Sequence, residues 1–260
     1  MKKFIALFLV LTFVIAFAAS CGKDPVNPPD VTVDQTTTKA AETTGSGTTT
    51  TGAEATTTPA ETTTEPDLDK YKEIKEGAFL YRIMRDENGK FSHVLISKYY
   101  GEDSSVTIPS TYNYKNEALN VTEIGVLGNI GAQQGLTSVK ELTIPGTVKI
   151  INSIAFFSAI NLEKINFAEG LETISDMAFW CCTGLKEFTL PSTLREIGAN
   201  AFSGCESLET LVIPSSVETI GAGAFSGCTS LKTVTIPEKF RAQEAEIFNG
   251  CPNVTINYVG

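Results

Sequence analysis

The chain is 260 residues long and carries 30 acidic against 20 basic side chains, for a formal net charge of −10. An acidic chain with no basic stripe excludes nucleic acid and anionic membrane surfaces as partners. It also lacks any H-E-x-x-H, G-x-S-x-G or Gly-rich phosphate-loop pattern, which leaves no recognisable catalytic signature.

Lys2 and Lys3 precede an apolar run from Phe4 to Phe17, and Ala18-Ala19-Ser20-Cys21 comes next. A positive start, a short apolar stretch and small residues make residues 1–20 a secretory signal, too short for a comfortable membrane span. Cys21 directly after small residues resembles the lipobox of bacterial lipoproteins, although Leu is more usual where Ala18 stands. That resemblance implies lipidation of Cys21 as the first mature residue and a membrane anchor; the alternative is an ordinary cleaved signal with an incidental Cys. Gly22 rather than Asp is the next residue, so by the same analogy nothing retains the protein at an inner membrane. Residues 21–69 collapse to Thr, Pro, Ala, Glu and Gly and are expected to form a disordered linker, because they hold almost nothing to bury. As a flexible coil this stalk, plain or O-glycosylated, spans about 40 Å.

Residues 70–135 are expected to form an irregular entrance to the C-terminal part of the chain. "AFLYRIM" and "KFSHVLI" flank Asp86-Glu87-Asn88-Gly89, a hairpin signal. "SSVTIPS" at 104–110 has the form of a first repeat, but Pro109 and Pro145 are 36 residues apart, so the first turn carries an insertion. That insertion is divided between the Tyr112–Asn120 region and "GVLGNIGAQQG". The hairpin is expected to cap an otherwise open edge.

Residues 136–260 repeat. Pro145, Pro191, Pro214 and Pro237 lie on a 23-residue grid, with Ala168 at the vacant point. Ala155/Phe156, Ala178/Phe179, Ala201/Phe202, Ala224/Phe225 and Ile247/Phe248 share the grid, as do Cys182, Cys205, Cys228 and Cys251. Each unit opens with an L-x-x-L-x-L pattern, such as Leu208/Leu211/Ile213, which predicts a short inward-facing strand ended by Pro. A second extended piece, V-x-x-I, comes after it, then a tight turn around Ala-Phe. One such unit buries too little to offset its own ordering entropy, so the units fold only as a stacked array. The fold class predicted is an α+β repeat solenoid, a right-handed leucine-rich-repeat-like coil. It has parallel short strands, one tight helical turn per 23-residue unit and an N-terminal hairpin cap.

The charges support this register. Lys140, Glu163, Lys186, Glu209 and Lys232 occupy one place in successive units, and Glu141, Lys164, Glu187, Thr210 and Thr233 the next. Stacking sets opposite charges side by side, and a one-unit slip sets like charges together.

At "LREIGANAFSGCESLETLVIPSSVETIGAGAFSGCTSLKTVTIP" the chain resembles the BspA-type leucine-rich repeat family, over residues 136–256. It departs from the pattern at Ala159, at Ala168-Glu169 and at Gln243. The resemblance implies a bacterial cell-surface or secreted protein, adhesin-like and non-catalytic, which binds proteins or glycans.

The cysteine file is read as a ladder of small buried thiols, in preference to bridged pairs or a metal site, and Cys181 has no assigned role. No cofactor is expected. His93 is read as structural, and Glu141 with Glu187, the best acid pair available, as part of a charge ladder because Lys164 lies between them. Binding is then expected on the outward strand positions Thr143, Asn166, Thr189, Val212 and Thr235, with Thr210 and Thr233 beside them; the alternative is a plain solvated sheet face, which would have the same sequence. A second candidate is Phe157 and Trp180, which replace the Ser203, Ser226 and Asn249 of later units and need cover, from the 110–135 insertion or from a partner. The expected protein is a monomer that meets an extracellular protein or glycan and touches the membrane through its lipid anchor alone; the alternatives are a structural envelope protein that self-associates through the terminal strand near Val254 to Val259 and, more distantly, a glycan-active enzyme.

Overall fold

The computed structural model describes residues 72–127 and 136–260. The expected signal, Cys21 and the Thr-rich linker lie outside the described residues.

The repeats build two parallel ladders that share one core. Front strands are β4 (Ser105–Thr107), β7 (Glu141–Ile144), β9 (Lys164–Phe167), β11 (Glu187–Phe188), β13 (Thr210–Val212), β15 (Thr233–Pro237) and β16 (Thr255–Val259). Back strands are β6 (Glu117–Ile124), β8 (Ile150–Ile151), β10 (Thr173–Ile174), β12 (Glu196–Ile197) and β14 (Thr219–Ile220). Partners fall one repeat apart, as in Leu142 opposite Ile165 and Ile174 opposite Ile197. The front ladder is interrupted once: β11 and β13 belong to separate sheets. The inward place of Ile165 and Leu211 is taken there by Phe188, which stacks on Phe202 at 4.8 Å. The wider ring holds the two strands apart.

The core is a set of columns. Phe156, Phe179, Phe202, Phe225 and Phe248 stack with centroid separations of 4.8, 5.0, 5.3 and 5.7 Å. The first four are fully buried. Beside this column each ladder thiol donates to the carbonyl of the Phe one turn back: Cys182 to Phe156 (3.2 Å), Cys205 to Phe179 (3.5 Å), Cys228 to Phe202 (3.4 Å) and Cys251 to Phe225 (3.2 Å). A small apolar side chain with one weak donor fits that place, which explains why cysteine recurs there.

The Ala-Phe corners are tight hydrogen-bonded turns, for example Ala155 N–H to Asn152 and Ala159 N–H to Phe156. Left-handed residues on either side, Ile154 (φ 58°) and Ser158 (φ 53°), stop them from propagating as helices. Among the described residues only the last unit forms a regular turn of helix, α1 (Glu244–Ile247), after a 3-10 segment at Glu238–Gln243, so the expected helical turn in every unit is a bare turn in the others. Phe240 fills the core place of Val217 in that unit, so Lys239, Arg241 and Gln243 remain outside.

The cap is sheet rather than lid. The expected hairpin forms from β2 (Phe79–Arg85) and β3 (Phe91–Tyr99), with Gly89 at φ 75° and Asp86 accepting from the Asn88 and Lys90 amides. β3 then runs parallel to β6 and continues the back ladder, and β1 (Lys72–Glu76) adds an outer strand that the sequence pattern does not announce. The Tyr112–Asn120 part of the insertion is a second hairpin: β5 (Thr111–Tyr114) pairs with β6 around Lys115-Asn116, both left-handed. Of the remaining part of the insertion, 125–135, residues 128–135 lie outside the described residues.

Candidate binding surface

The front ladder presents a flat outward face. Thr107, Thr143 and Asn166 stand side by side in register, and Val212, Thr235 and Asn257 do the same past the break. Thr189 is exposed at the break itself. The adjoining row runs Ser105, Glu141, Lys164 and Glu187, then Thr210, Thr233 and Thr255.

The two halves of this face differ in how their polar groups are engaged. In the N-terminal half Asn166 donates to Glu141 (2.8 Å) and to Thr143 (3.4 Å), and Lys164 lies 3.7 Å from Glu187. Those side chains form an internal network and leave few groups for a ligand. In the C-terminal half Thr210, Val212 and Thr233 are exposed and Thr235 is half-buried, with Val212 61% exposed. Short hydroxyls around one exposed aliphatic group on a rigid strand grid can hydrogen-bond a ligand at little entropic cost.

Charge ladders border the face. Glu163 is held between Lys186 (2.6 Å) and Lys140 (3.6 Å), and these ammonium groups keep its carboxyl below the ordinary carboxylate value. Lys232 pairs with Glu209 at 2.8 Å. A third file, on the back ladder, pairs Lys149 with Glu172 and Arg195 with Glu218. It obeys the same 23-residue spacing and was open to sequence reading.

The second surface is the corner of the first two complete units. Phe157 and Trp180 touch at 5.1 Å with rings tilted by 55°, both half-exposed. Around them Ile154, Met177 and Ile160 stand where later units place Asn200, Gly223, Thr183 and Glu206, and Ile160 is 55% exposed. Ile154 and Met177 are both left-handed (φ 58° and 55°), a conformation that suits the Asn200 and Gly223 of the following units. Of the described part of the insertion, Tyr112 and Tyr114 pack on Tyr81 and Phe91 in the cap, while the Leu127 N–H bonds to the Ala155 carbonyl (2.6 Å) beside this corner.

The titratable groups are engaged structurally. Burial pushes the Cys182 thiol up to about 12 and that of Cys205 well above its ordinary value, and the neighbouring Cys251 side chain together with burial does the same to Cys228, so these three thiols are held in their unreactive protonated form, while the same contact lowers Cys251. Cys181 stands outside the file, buried and with a left-handed backbone (φ 56°). His93 contacts Ser92 Oγ (3.0 Å) and Glu123 Oε1 (3.2 Å), and Asn152 donates to the other Glu123 oxygen (3.2 Å). These contacts tie β3, β6 and the residue after β8 together across the joint between cap and repeats. No sequence motif announced them. Glu141 and Glu187, the nearest approach to a hydrolytic pair, are each engaged by a neighbour, Asn166 and Lys164.

A family model described as BspA type leucine rich repeat region matches residues 132–255 in six copies. A second, the New glue protein family, matches residues 1–88, mostly the Thr-rich stretch. No curated protein matches in sequence. Among solved structures, a leucine-rich repeat protein of T. pallidum aligns with TM-score 0.57 and 28% identity, over 71% of this chain and 81% of that one. One from Bacteroides ovatus aligns with TM-score 0.56 and 30% identity, over 70% of this chain and 46% of that one. The pneumococcal vaccine antigen PcpA gives TM-score 0.50 and 25% identity, over 63% and 49%. This chain thus spans about half the length of the last two.

Proposed function

Because residues 132–255 belong to the BspA-type leucine-rich repeat family, we propose that this chain is a non-catalytic binding protein of the bacterial cell surface, held there by lipid on Cys21 and presenting its repeats on a Thr-rich stalk. The observation that carries the binding reading is the C-terminal half of the front face. Thr210, Val212, Thr233 and Thr235 are fixed by the ladder and are not drawn into charge pairs. Its chemistry suits an uncharged partner: a glycan offering hydroxyls and C–H faces, or an extended peptide.

Anchoring is supported by Lys2-Lys3, the apolar run and Ala-Ala-Ser before Cys21. Fatty-acid labelling of cells that produce the chain, beside Cys21→Ser, tests it. Label on the native chain alone is the expected result, and Cys21 found in a disulfide instead of thioether-linked to lipid would overturn the anchor. For binding, a screen of glycans and envelope or host proteins is run with the native chain, Thr233→Arg and Trp180→Ser. A ligand lost with Thr233→Arg is the expected result. Loss with Trp180→Ser alone would move the site to the aromatic corner.

A further inference from the structure

We propose that two copies of this chain pair through β16, antiparallel about a two-fold axis at Asn257, so that their solenoids meet end to end. Three other edges among the described strands, those of β1, β14 and β4, are charged or short. β1, the outer strand of the back sheet, reads Lys-Glu-Ile-Lys-Glu and is charged along its length. β14, at the other end, is two residues long, and the last unit packs closely on it, with Phe225 N–H bonded to Ile247. β4 is three residues long and comes just after Glu102 and Asp103. Charge and shortness are the usual defences of an edge against pairing with another chain.

β16 has neither. It is five residues, Thr-Ile-Asn-Tyr-Val, with no charge, and among the described residues it pairs on one side only, with β15. Its inward residues also show an unfinished core. Val234 and Ile236 are buried, whereas Ile256 and Tyr258, directly beside them in register, are half-exposed. Val259 is 42% exposed. Arg241 lies over the Tyr258 ring and Glu244 accepts its hydroxyl, which fixes the side chain and leaves the strand's outer N–H and C=O groups open.

A second copy is the occupant that the strand's own sequence selects. Antiparallel pairing about Asn257 sets Thr255 against Val259, Ile256 against Tyr258 and Asn257 against itself. Apolar meets apolar on the core side, and no like charges meet. The arrangement is isologous and closes at two copies. Head-to-tail pairing of β16 on β4 would give open filaments, but β4 offers three residues beside two carboxylates.

The chain secreted with Cys21→Ser, so that no acyl group contributes, is followed by sedimentation equilibrium over a wide concentration series. A monomer–dimer equilibrium is expected. Thr255→Lys/Val259→Lys, which sets like charges against each other at both ends of the strand pair, should weaken it at least tenfold. Thr255→Lys/Val259→Glu sets opposite charges there and should retain it. Both positions are exposed, and thermal unfolding verifies that each variant keeps the fold. A native chain that stays monomeric throughout, filaments in place of dimers, or a Lys/Lys variant that pairs as well as the native chain would each overturn the proposal.

Discussion

The Cys205 thiol donates to the carbonyl of Phe179, one turn back, and the Phe179 ring stacks on Phe202 at 5.0 Å with the planes 5° apart. One residue of each unit thus fastens the backbone of the unit before it, beside the column that forms the core. Removing the thiol in Cys205→Ala leaves a small void and one weak bond unmade. The expected loss is about 1–3 kcal/mol, measured by urea unfolding. The native Cys182, Cys205 and Cys228 thiols should resist a water-soluble thiol reagent until the protein unfolds.

Phe202 sits between Phe179 and Phe225. Phe202→Ala should cost about 3–5 kcal/mol, and because each unit is supported only by its neighbours, the array should lose cooperativity on both sides of the gap. Calorimetry that shows a single undiminished transition would contradict this.

Met177 occupies a left-handed position filled in the next units by Asn200 and Gly223. Releasing that conformation returns about 1–2 kcal/mol, against about 0.5–1 kcal/mol for the freedom of glycine in the unfolded chain. Met177→Gly should therefore raise the melting temperature slightly. A decrease would mean that the half-buried Met side chain contributes more packing than its backbone costs.

Stability should fall at alkaline pH. The Cys182 thiol, ordinarily near 9.0, is raised to about 12 by burial; the Tyr99 and Tyr112 hydroxyls, ordinarily near 10.0, are raised to about 12, first by burial and then by Asp103 and Glu76. Groups whose folded values are raised contribute stability that is complete below the unfolded value and is lost as pH rises through the folded one. The window is thus from about pH 9 to 12, tracked by urea midpoints across that range. At the acid end Glu163, lowered by Lys186 and Lys140, and Glu169, lowered by the Ser192 amide and hydroxyl, act in the opposite sense. Their contribution is present above 4.5 and lost below it, and their exposure to water keeps it small and sensitive to salt.

The repeats were legible because a 23-residue period fixes which residues must stack: the Phe column, the Cys file and the Lys140–Glu163–Lys186 ladder all derive from spacing alone. The β2–β3 hairpin was legible from its Asn-Gly turn. β1 was not, since Lys-Glu-Ile-Lys-Glu carries one apolar residue and no alternation. Left-handed Ile154 and Met177 were also invisible, because neither residue type signals that conformation. The outward face was correctly placed by period, but spacing could not show that Asn166 turns toward Glu141 while Thr233 and Thr235 stay outside that network. That distinction depends on side-chain direction, which a repeat pattern does not encode.

The role proposed for the C-terminal half of the front face is to recognise a partner as a rigid grid. The most direct measurement is the dissociation constant of the ligand found by screening, taken for the native chain, Thr210→Arg and Thr235→Arg at matched fold stability. Each arginine is predicted to weaken binding at least tenfold while Thr143→Arg, on the networked half, changes it little. Equal affinity in all four proteins, or loss with Thr143→Arg alone, would contradict it.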